Sequence, residues 1–314
     1  MLSVSDPLVS VIIVTFNRKA QVIECLDSVL RSAYKPLEII VVDNASVDGT
    51  ADALCQRYAD KMKLLSCPKN IYAGGGRNLG AKQARGEYLL FIDSDNVIAP
   101  DMIEKMISGI RENKELNVGV AGPFTYFKSE RNKLCWTNSD ISLLTSVTVF
   151  KGRGEIDRGQ YSGTKYIRVG HIQNVFMVKK EAFEAAGGID GDYVMHYEES
   201  DLAEKIKRRG YDVVLLPLAR TWHDLPQVSP KGHKSFSGKN PAMVYYVSRN
   251  RIIFMRKNSS GARLFIFLTL FSNLFFLYNL AILALNRKFN LMGLLIKGYL
   301  SGIFDKITMK PALV

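Results

Sequence analysis

Three short apolar runs in the first third of the chain constrain its fold more than any other feature. They are VSVIIVT (Val9–Thr15), LEIIVVD (Leu37–Asp43) and YLLFID (Tyr88–Asp93). Each run is too apolar for a strand with one face in water, so we predict strands that are buried on both faces. Helical patterns over residues 19–31 and 50–58 lie between them, and this alternation is typical of a mostly parallel, doubly wound α/β sheet.

Weaker patterns extend this α/β prediction along the chain. KLLS (Lys63–Ser66) predicts another strand, and a helix is predicted over residues 78–85. Further on, YDVVLLP (211–217) predicts a late strand, and a short link, LART, then leads to His223. We therefore expect one α/β domain over residues 1–225.

Polar side chains follow the predicted strands at the points where they end. The first strand ends in Thr15, Phe16 and Asn17, the second in Asp43 and Asn44, and the YLLFID strand in Asp-Ser-Asp. Open α/β sheets bind ligands in the crevice beyond the carboxyl ends of their strands. We therefore expect a ligand site at this edge of the sheet.

Asp93 and Asp95 are the pair of residues most suggestive of a metal ion. Two residues apart on extended chain, their carboxylates leave the same face, where they repel each other unless a cation lies between them. Mg²⁺ or Mn²⁺, held by carboxylates and by phosphate oxygens of a substrate, suits this arrangement. A turn in water accommodates the same pair, so the motif alone leaves both interpretations open.

Asp43 closes the second buried strand and precedes NASVDGT. A carboxylate at this position can accept a hydrogen bond from an imide N–H, the group that a uracil or thymine ring presents. It can equally cap the turn together with Asn44. Both interpretations stand at this stage.

The glycine-rich stretch GGGRNLG superficially matches a dinucleotide-binding fingerprint. Such a fingerprint follows the first strand, whereas this stretch follows the third, and the pattern therefore argues against a dehydrogenase. A nucleotidyltransferase would also place its glycine-rich loop after the first strand, where this chain has TFNRKAQ. Arg77 beside the glycines is expected to contact a diphosphate.

Two further positions could carry chemistry. Glu198 and Glu199 precede a helical pattern, and helix N-termini favour ionised carboxylates, so a base ready at neutral pH is one interpretation. Acidic residues that merely complement the helix dipole are the other. His223 is a candidate metal ligand because it lies near a strand end, although most single histidines are structural.

The last part of the chain differs in charge and hydropathy. The chain carries a net charge of +12, and a basic balance suits phosphorylated substrates, anionic lipid or nucleic acid. Residues 264–285 contain no charge and are long enough to cross a bilayer. Basic residues flank this run on both sides, which leaves a spanning helix, an interfacial hairpin or a buried helix open. We expect a basic linker and helix over residues 226–262 and apolar helices with a tail over 263–314.

Together these motifs resemble an inverting glycosyltransferase of family 2, with the GT-A nucleotide-sugar fold. The resemblance covers residues 9–223 and rests on four stretches in the family's order. They are VSVIIVTFN, EIIVVDNASVDGT, GGGRNLGAKQARGEYLLFIDSDN and GGIDGDYVMHYEESDLAEKIKRRGYDVVLLPLARTWH. The C-terminal part is similar in outline to that of rhamnosyl- and galactofuranosyltransferases that build cell-surface glycans.

This resemblance implies a role for each candidate residue. The residues implied for the donor nucleotide are Thr15, Asn17, Asp43, Arg77 and Asp93. The residues implied for Mn²⁺ or Mg²⁺ are Asp95, Asp93 and His223. The implied catalytic base is Glu199, with Glu198 as the neighbour in an ED-type motif whose second residue is more commonly aspartate.

The implied reaction moves a hexose or deoxyhexose from a nucleoside-diphosphate sugar to a hydroxyl of a lipid-linked glycan acceptor. The Asp43 argument favours a UDP- or dTDP-linked donor. The protein would act at the cell membrane, with its catalytic domain in the cytoplasm and with no nucleic acid partner. A nucleotidyltransferase and a degenerate, membrane-attached sugar-nucleotide binder are the alternatives.

Overall fold

The computed structural model describes residues 6–172, 174–225 and 241–307 of the 314-residue chain. Part of the expected basic linker, residues 226–240, lies outside the described residues, as does the end of the expected tail. The strands are β1 (Val9–Thr15), β2 (Leu37–Asp43), β3 (Lys63–Ser66), β4 (Tyr88–Asp93), β5 (Asn96–Ile98), β6 (Val118–Phe127), β7 (Leu134–Trp136), β8 (Asn138–Ile141), β9 (Thr148–Lys151), β10 (Ile167–Arg168), β11 (Val175–Lys179) and β12 (Asp212–His223).

Helices flank the sheet and follow it at the C-terminus. They are α1 (Lys19–Leu30), α2 (Thr50–Tyr58), α3 (Tyr72–Gln83), α4 (Met102–Glu112), α5 (Lys180–Ala185), α6 (Glu198–Lys207), α7 (Pro241–Asn258), α8 (Gly261–Leu285, with a π-helical segment at Phe267–Phe271) and α9 (Phe289–Phe304).

The central sheet has the order β10-β12-β6-β11-β4-β1-β2-β3. Strands β4, β1, β2 and β3 are parallel, β11 is antiparallel to both of its neighbours, and β6 is parallel to β12. The predicted mostly parallel, doubly wound sheet is therefore confirmed. In register, Thr15 lies opposite Asp43 and Val14 opposite Asp93, so the polar strand ends meet at one edge.

Both faces of the central strands are buried, as the apolar runs predict. Val9, Val11 and Ile13 of β1 pack with the apolar faces of α1 and α4. Ile12 points the other way and packs with residues of α3, α5 and α6. This division follows the two-residue period of a strand, which sends neighbouring side chains to opposite faces.

The helix predicted over residues 78–85 begins earlier, at Tyr72, so the glycine-rich stretch lies inside α3. The glycines allow this helix to approach the sheet closely. A Cβ atom at Gly76 would overlap Val14, and one at Gly80 would overlap Ile12. Their role is helix–sheet packing, which agrees with the rejection of a dinucleotide fingerprint.

The sequence pattern predicts that strand β12 ends before LART, but this prediction is wrong. The strand continues through an irregularity between Leu216 and Arg220 as far as His223. Its last three residues pair with β5, which places His223 opposite Asn96. The same residues also pair with the end of β6, so the extension is supported on both sides, and the β5 pairing brings His223 to the Asp-Ser-Asp turn.

Helices α7, α8 and α9 form an antiparallel unit that packs against the α/β domain. Phe254 of α7 and Phe267 of α8 share an apolar cluster with Tyr193 of the domain. At the other end, Val244 of α7 packs with Leu283 of α8. Helix α7 therefore connects the last two helices to the sheet domain.

Candidate active site

The carboxyl edge of the sheet brings most of the predicted site residues together. Asp43 ends β2, Asp93 ends β4, and Asp95 follows in the turn to β5. His223 reaches the same turn from β12, with its Nε2 atom 3.3 Å from Oδ1 of Asp95. Residues that are far apart in sequence thus line one end of the sheet.

Asp95 and His223 form a pair that fits a divalent ion. Their 3.3 Å separation is close to the roughly 3 Å between adjacent ligands of an octahedral ion with bonds of about 2.1 Å. Among the described residues no cluster of three or more His, Cys, Asp or Glu side chains could hold a metal. An ion here would therefore take its remaining ligands from phosphate and water, as Mg²⁺ sites commonly do.

The Asp95 carboxylate is strongly held in its ionised form. Burial alone would raise its pKa, but the hydrogen bond from His223 and the charges of His223 and Arg18 lower the pKa of Asp95 to about 2. Arg18 forms an ion pair with the other carboxylate oxygen. Asn174 bonds to Nδ1 of His223 at 3.2 Å and orients the ring. The carboxylate is therefore ionised at neutral pH.

A second group of atoms fits a nucleoside. Three buried oxygen atoms at the ends of β1 and β2 have no hydrogen-bond partner, namely Oγ1 of Thr15, Oδ1 of Asp43 and Oδ1 of Asn44. Unsatisfied buried acceptors are costly, and in a native protein they call for a ligand or water. The Asp43 carboxylate uses only Oδ2, which accepts a hydrogen bond from the Ser46 amide at 3.2 Å. Its other oxygen remains available to an imide N–H.

Asn17 differs from the other residues that are predicted to bind the donor nucleotide, because its polar groups are used within the protein. Its amide N–H donates to Ser46, and its side-chain oxygen accepts from the Val47 amide at 2.8 Å. With φ at 50°, it turns the chain after β1 and ties that loop to the loop after β2. The structure thus shows Asn17 shaping the wall of the site, and direct contact with the donor stays a prediction.

Arg77 lies beneath the site, with a side chain only 2% exposed. Its guanidinium donates to Asp93 at 2.6 Å and to Glu199 at 2.9 Å, and it stacks over Phe176. This arrangement does not support the predicted contact between Arg77 and a diphosphate, because both terminal nitrogens of the guanidinium already donate to carboxylates. The structure shows Arg77 as the group that fixes two carboxylates next to each other.

The two glutamates at the start of α6 have different surroundings. Glu198 is buried, and its Oε2 atom has no hydrogen-bond partner. Burial, with a further contribution from the Glu199 charge, raises the pKa of Glu198 to about 8. Glu199 is 17% exposed and paired with Arg77. Burial therefore favours the neutral form of Glu198, whereas Glu199 is partly exposed and held in place by Arg77.

Hydrogen bonds from the C-terminal helix α7 stabilise the backbone turn that orients Glu199. His196 and Tyr197 both have positive φ, a costly conformation for two successive residues with side chains. Asn250 of α7 is fully buried and donates to the carbonyl oxygens of Met195, at 2.8 Å, and of His196. Helix α7 thereby stabilises the strained turn in front of the glutamates.

Sequence reasoning did not identify Arg18, Asn44, Asn174 or Asn250 as site residues. Arg18 pairs with a residue 77 positions away, and Asn174 contacts a histidine 49 positions away. Such pairs follow from strand order, which no local pattern reports. Of these four residues, Asn44 is the one that the sequence pattern could have identified, because it lies at a strand end beside Asp43.

Comparison with known proteins decides between the chemical classes that this geometry could serve. Residues 10–184, more than half of the chain, match the sequence profile described as glycosyl transferase family 2. The chain belongs to this family. Glycosyltransferase GlyG of Streptococcus pneumoniae serotype 4 is 26% identical over 180 residues, covering 56% of this chain and 58% of that protein. The alignment thus spans less than two thirds of that relative.

Solved structures show the same fold for the family-2 domain. Mannosyltransferase PcManGT from Pyrobaculum calidifontis, solved with GDP-Man and Mn²⁺, has a TM-score of 0.57 at 17% identity, over 97% of this chain and 89% of its own. GalNAc-T7, solved with UDP, GalNAc and Mn²⁺, has a TM-score of 0.59 at 15% identity, over 77% and 48%. The domain therefore has the GT-A-like fold that the sequence motifs imply.

Proposed function

We propose that this protein is an inverting, metal-dependent glycosyltransferase that moves a hexose or deoxyhexose from a nucleoside-diphosphate sugar to a hydroxyl. The observation that carries the proposal is the ion-pair chain Glu199–Arg77–Asp93. It fixes a partly exposed carboxylate beside the strand end that carries the Asp95–His223 pair. A base for the acceptor and a metal site for the leaving group therefore lie at one edge of the sheet.

Each residue then has a distinct part in the reaction. Glu199 takes the proton from the acceptor hydroxyl while the oxygen attacks the anomeric carbon, and the bond from that carbon to the diphosphate oxygen breaks. Asp95 and His223 would hold Mn²⁺ or Mg²⁺, which when bound stabilises the charge of the departing diphosphate. Arg77 pairs with Glu199 and fixes its position, and Asp93 would contact the ribose or water on the metal. A single displacement of this kind inverts the anomeric centre.

A UDP- or dTDP-linked donor is the part of the proposal that Asp43 supports. Its unpartnered, buried oxygen suits the imide N–H of uracil or thymine, and the buried oxygens of Thr15 and Asn44 beside it also lack hydrogen-bond partners. A guanine ring also carries an imide N–H beside its amino group, so GDP belongs in any comparison. The test is a panel of nucleotide sugars scored by release of nucleoside diphosphate with Mn²⁺ present.

We expect Asp43→Ala to weaken UDP or dTDP binding by roughly 1–3 kcal/mol, the worth of a charge-assisted hydrogen bond. Affinity for Mn²⁺ should change little, because Asp43 lies outside the metal pair. Isothermal titration with nucleotide and with metal separates the two effects. The matched control is Asp48→Ala. Asp48 lies in the loop that follows β2, but its side chain accepts a hydrogen bond at the N-terminus of α2. Equal nucleotide affinity of Asp43→Ala and wild type would remove Asp43 from the donor site.

The same panel distinguishes the proposed activity from its rivals. A nucleotidyltransferase would release pyrophosphate from a nucleoside triphosphate, and a degenerate binder would bind donor without releasing nucleoside diphosphate. Release of nucleoside diphosphate from one or a few donors supports glycosyl transfer. A rhamnosyl or galactofuranosyl donor is the expectation that the C-terminal region favours.

A lipid-linked acceptor at the cytoplasmic face of the cell membrane is the further part of this proposal. Helix α8 is long and apolar enough to cross a membrane by length and composition. The base helix α6 begins next to the apolar cluster that α7 and α8 share, since Tyr197 packs at its edge. An acceptor carried on a lipid would thus reach Glu199 from the side of these helices.

A further inference from the structure

Helices α8 and α9 each expose a set of apolar side chains. On α8, exposed apolar side chains recur at helical spacing from Ile266 onward and form a stripe: Ile266, Leu270, Leu274, Leu277, Tyr278 and Leu285. Phe265 is also exposed, beside the start of this stripe. On α9 the exposed apolar residues are Phe289, Ile296, Leu300 and Phe304. This pair of stripes is called the hairpin surface below. Ten exposed apolar side chains on two neighbouring helices indicate a partner.

The opposite side of α8 is fixed to the rest of the protein along its whole length. Near its start, Leu264 and Phe267 pack in the cluster that includes Ile141 of the α/β domain. At its end, Leu283 packs against Val244 of α7. The helix therefore cannot leave the protein to enter a bilayer by itself.

Arg251 lies at the middle of the contact between α8 and the rest of the protein. Its charge makes a membrane-spanning arrangement of α8 energetically costly. The guanidinium of Arg251 stacks over Phe275, 3.9 Å from the ring centre, and also donates to the carbonyl oxygen of Thr145 in the α/β domain. Phe275 is near the midpoint of α8. If α8 crossed a bilayer, Arg251 and part of the catalytic domain would lie at the depth of the hydrocarbon core, where charge and irregular backbone are strongly disfavoured.

We infer that α8 and α9 lie flat in the surface of an anionic phospholipid bilayer, with the hairpin surface facing the acyl chains and neither helix crossing it. An in-plane helix immerses one apolar face and keeps its other face on the protein. Arg263, Arg287 and Lys297 are exposed at the ends and edge of the surface. Their charges match the negative headgroups of anionic lipid.

This arrangement brings the membrane to the catalytic base. The cluster beneath α8 includes Tyr197, the residue before Glu198, and the strained turn in front of α6 is held by α7. A lipid-borne acceptor entering along the headgroups would therefore meet Glu199 without leaving the bilayer. The inference rests on the proposed membrane association and not on the transfer activity, so its test uses no activity readout.

Lipid contact is tested by flotation of full-length protein with phosphatidylcholine vesicles, with and without phosphatidylglycerol. We expect wild type to float with the anionic vesicles and Leu274→Glu/Leu277→Glu to lose at least tenfold in vesicle affinity. Leu218→Glu is the matched control, because Leu218 is 49% exposed against 54% for Leu274 but belongs to β12. Equal flotation of the double variant and the control would overturn the assignment of the hairpin surface.

Topology is tested with a membrane-impermeant maleimide on vesicles from expressing cells. Cys55 is the exposed cysteine of the α/β domain, and the other three are buried. It serves as the reference, while Ser260→Cys and Asn286→Cys, each in a Cys55→Ser background, report the two ends of α8. Equal labelling of all three from one side supports the in-plane arrangement. Protection of Asn286→Cys until detergent is added would show a spanning helix and overturn it.

A second copy of the chain could also cover the hairpin surface. In that case the lipid-free protein would be a dimer by light scattering, and Leu274→Glu/Leu277→Glu would convert it to a monomer. That outcome would contradict the inference even if wild type binds vesicles. A monomeric mass for both proteins in lipid-free solution agrees with it.

Discussion

Glu199→Gln is expected to lower the rate of sugar transfer by roughly 10²–10⁴-fold, the usual contribution of general-base catalysis. Glutamine keeps the size of the side chain and can still accept from Arg77, so the fold and donor affinity should be retained. The amide cannot take the proton of the acceptor hydroxyl. Single-turnover transfer with saturating donor measures the effect separately from donor binding.

Glu198→Gln provides the matched comparison on the adjacent residue. Burial raises the pKa of Glu198 to about 8, so at neutral pH the native side chain is already a neutral acid that glutamine resembles closely. A carboxyl whose pKa is raised on folding costs stability as pH rises toward that pKa. The glutamine variant escapes this cost, so we expect it to be as stable as wild type and nearly as active.

The opposite ranking of the two variants would contradict this assignment. If Glu198→Gln is the more damaging change and wild-type activity rises with an apparent pKa near 8, Glu198 is the base. If neither substitution slows transfer, the mechanism placed on α6 is wrong.

Asp95→Ala is expected to abolish detectable transfer and to remove the dependence of nucleotide binding on Mn²⁺. The carboxylate is the charged member of the metal pair, and His223 alone would hold the ion poorly. Because nearby charges lower the pKa of Asp95 to about 2, its carboxylate is ionised at neutral pH, where this loss is to be measured. Nucleotide titrations with Mn²⁺ and with a chelator present measure it.

Asp101→Ala controls for loss of a surface carboxylate, because Asp101 pairs with Lys105 at the start of α4 and is not among the site residues. Its metal dependence should match that of wild type. Wild-type transfer in chelated buffer, or unchanged Mn²⁺ dependence in Asp95→Ala, would show that the Asp95–His223 pair is not a metal site.

Much of the fold follows from local patterns in the sequence. Strands buried on both faces leave long apolar runs, and β1, β2 and β4 have the predicted bounds. The strand ends also predict where a ligand binds, because parallel strands deliver their last residues to one edge. For this reason the proximity of Asp43, Asp93 and Asp95 can be predicted from the order of residues alone, and their contact with a ligand stays a prediction.

The structural features that we did not predict from the sequence depend on contacts between distant elements. Arg77 looked like a phosphate contact because of its glycine neighbours, but those glycines bring α3 so close to β1 that the arginine is buried between two carboxylates. The strand β12 extends to His223 because β5 and the end of β6 both pair with its last residues. Likewise, the burial of Glu198 and the pairing of Glu199 with Arg77 are set by tertiary packing.

The anomeric configuration of the transferred sugar tests the central claim most directly. Product formed from the best donor of the panel can be analysed by proton NMR, with the configuration read from the coupling of the anomeric proton. One displacement assisted by Glu199 predicts that the configuration is inverted relative to the donor. A product that retains the donor configuration would contradict the mechanism, because it requires either two displacements or attack from the face of the leaving group.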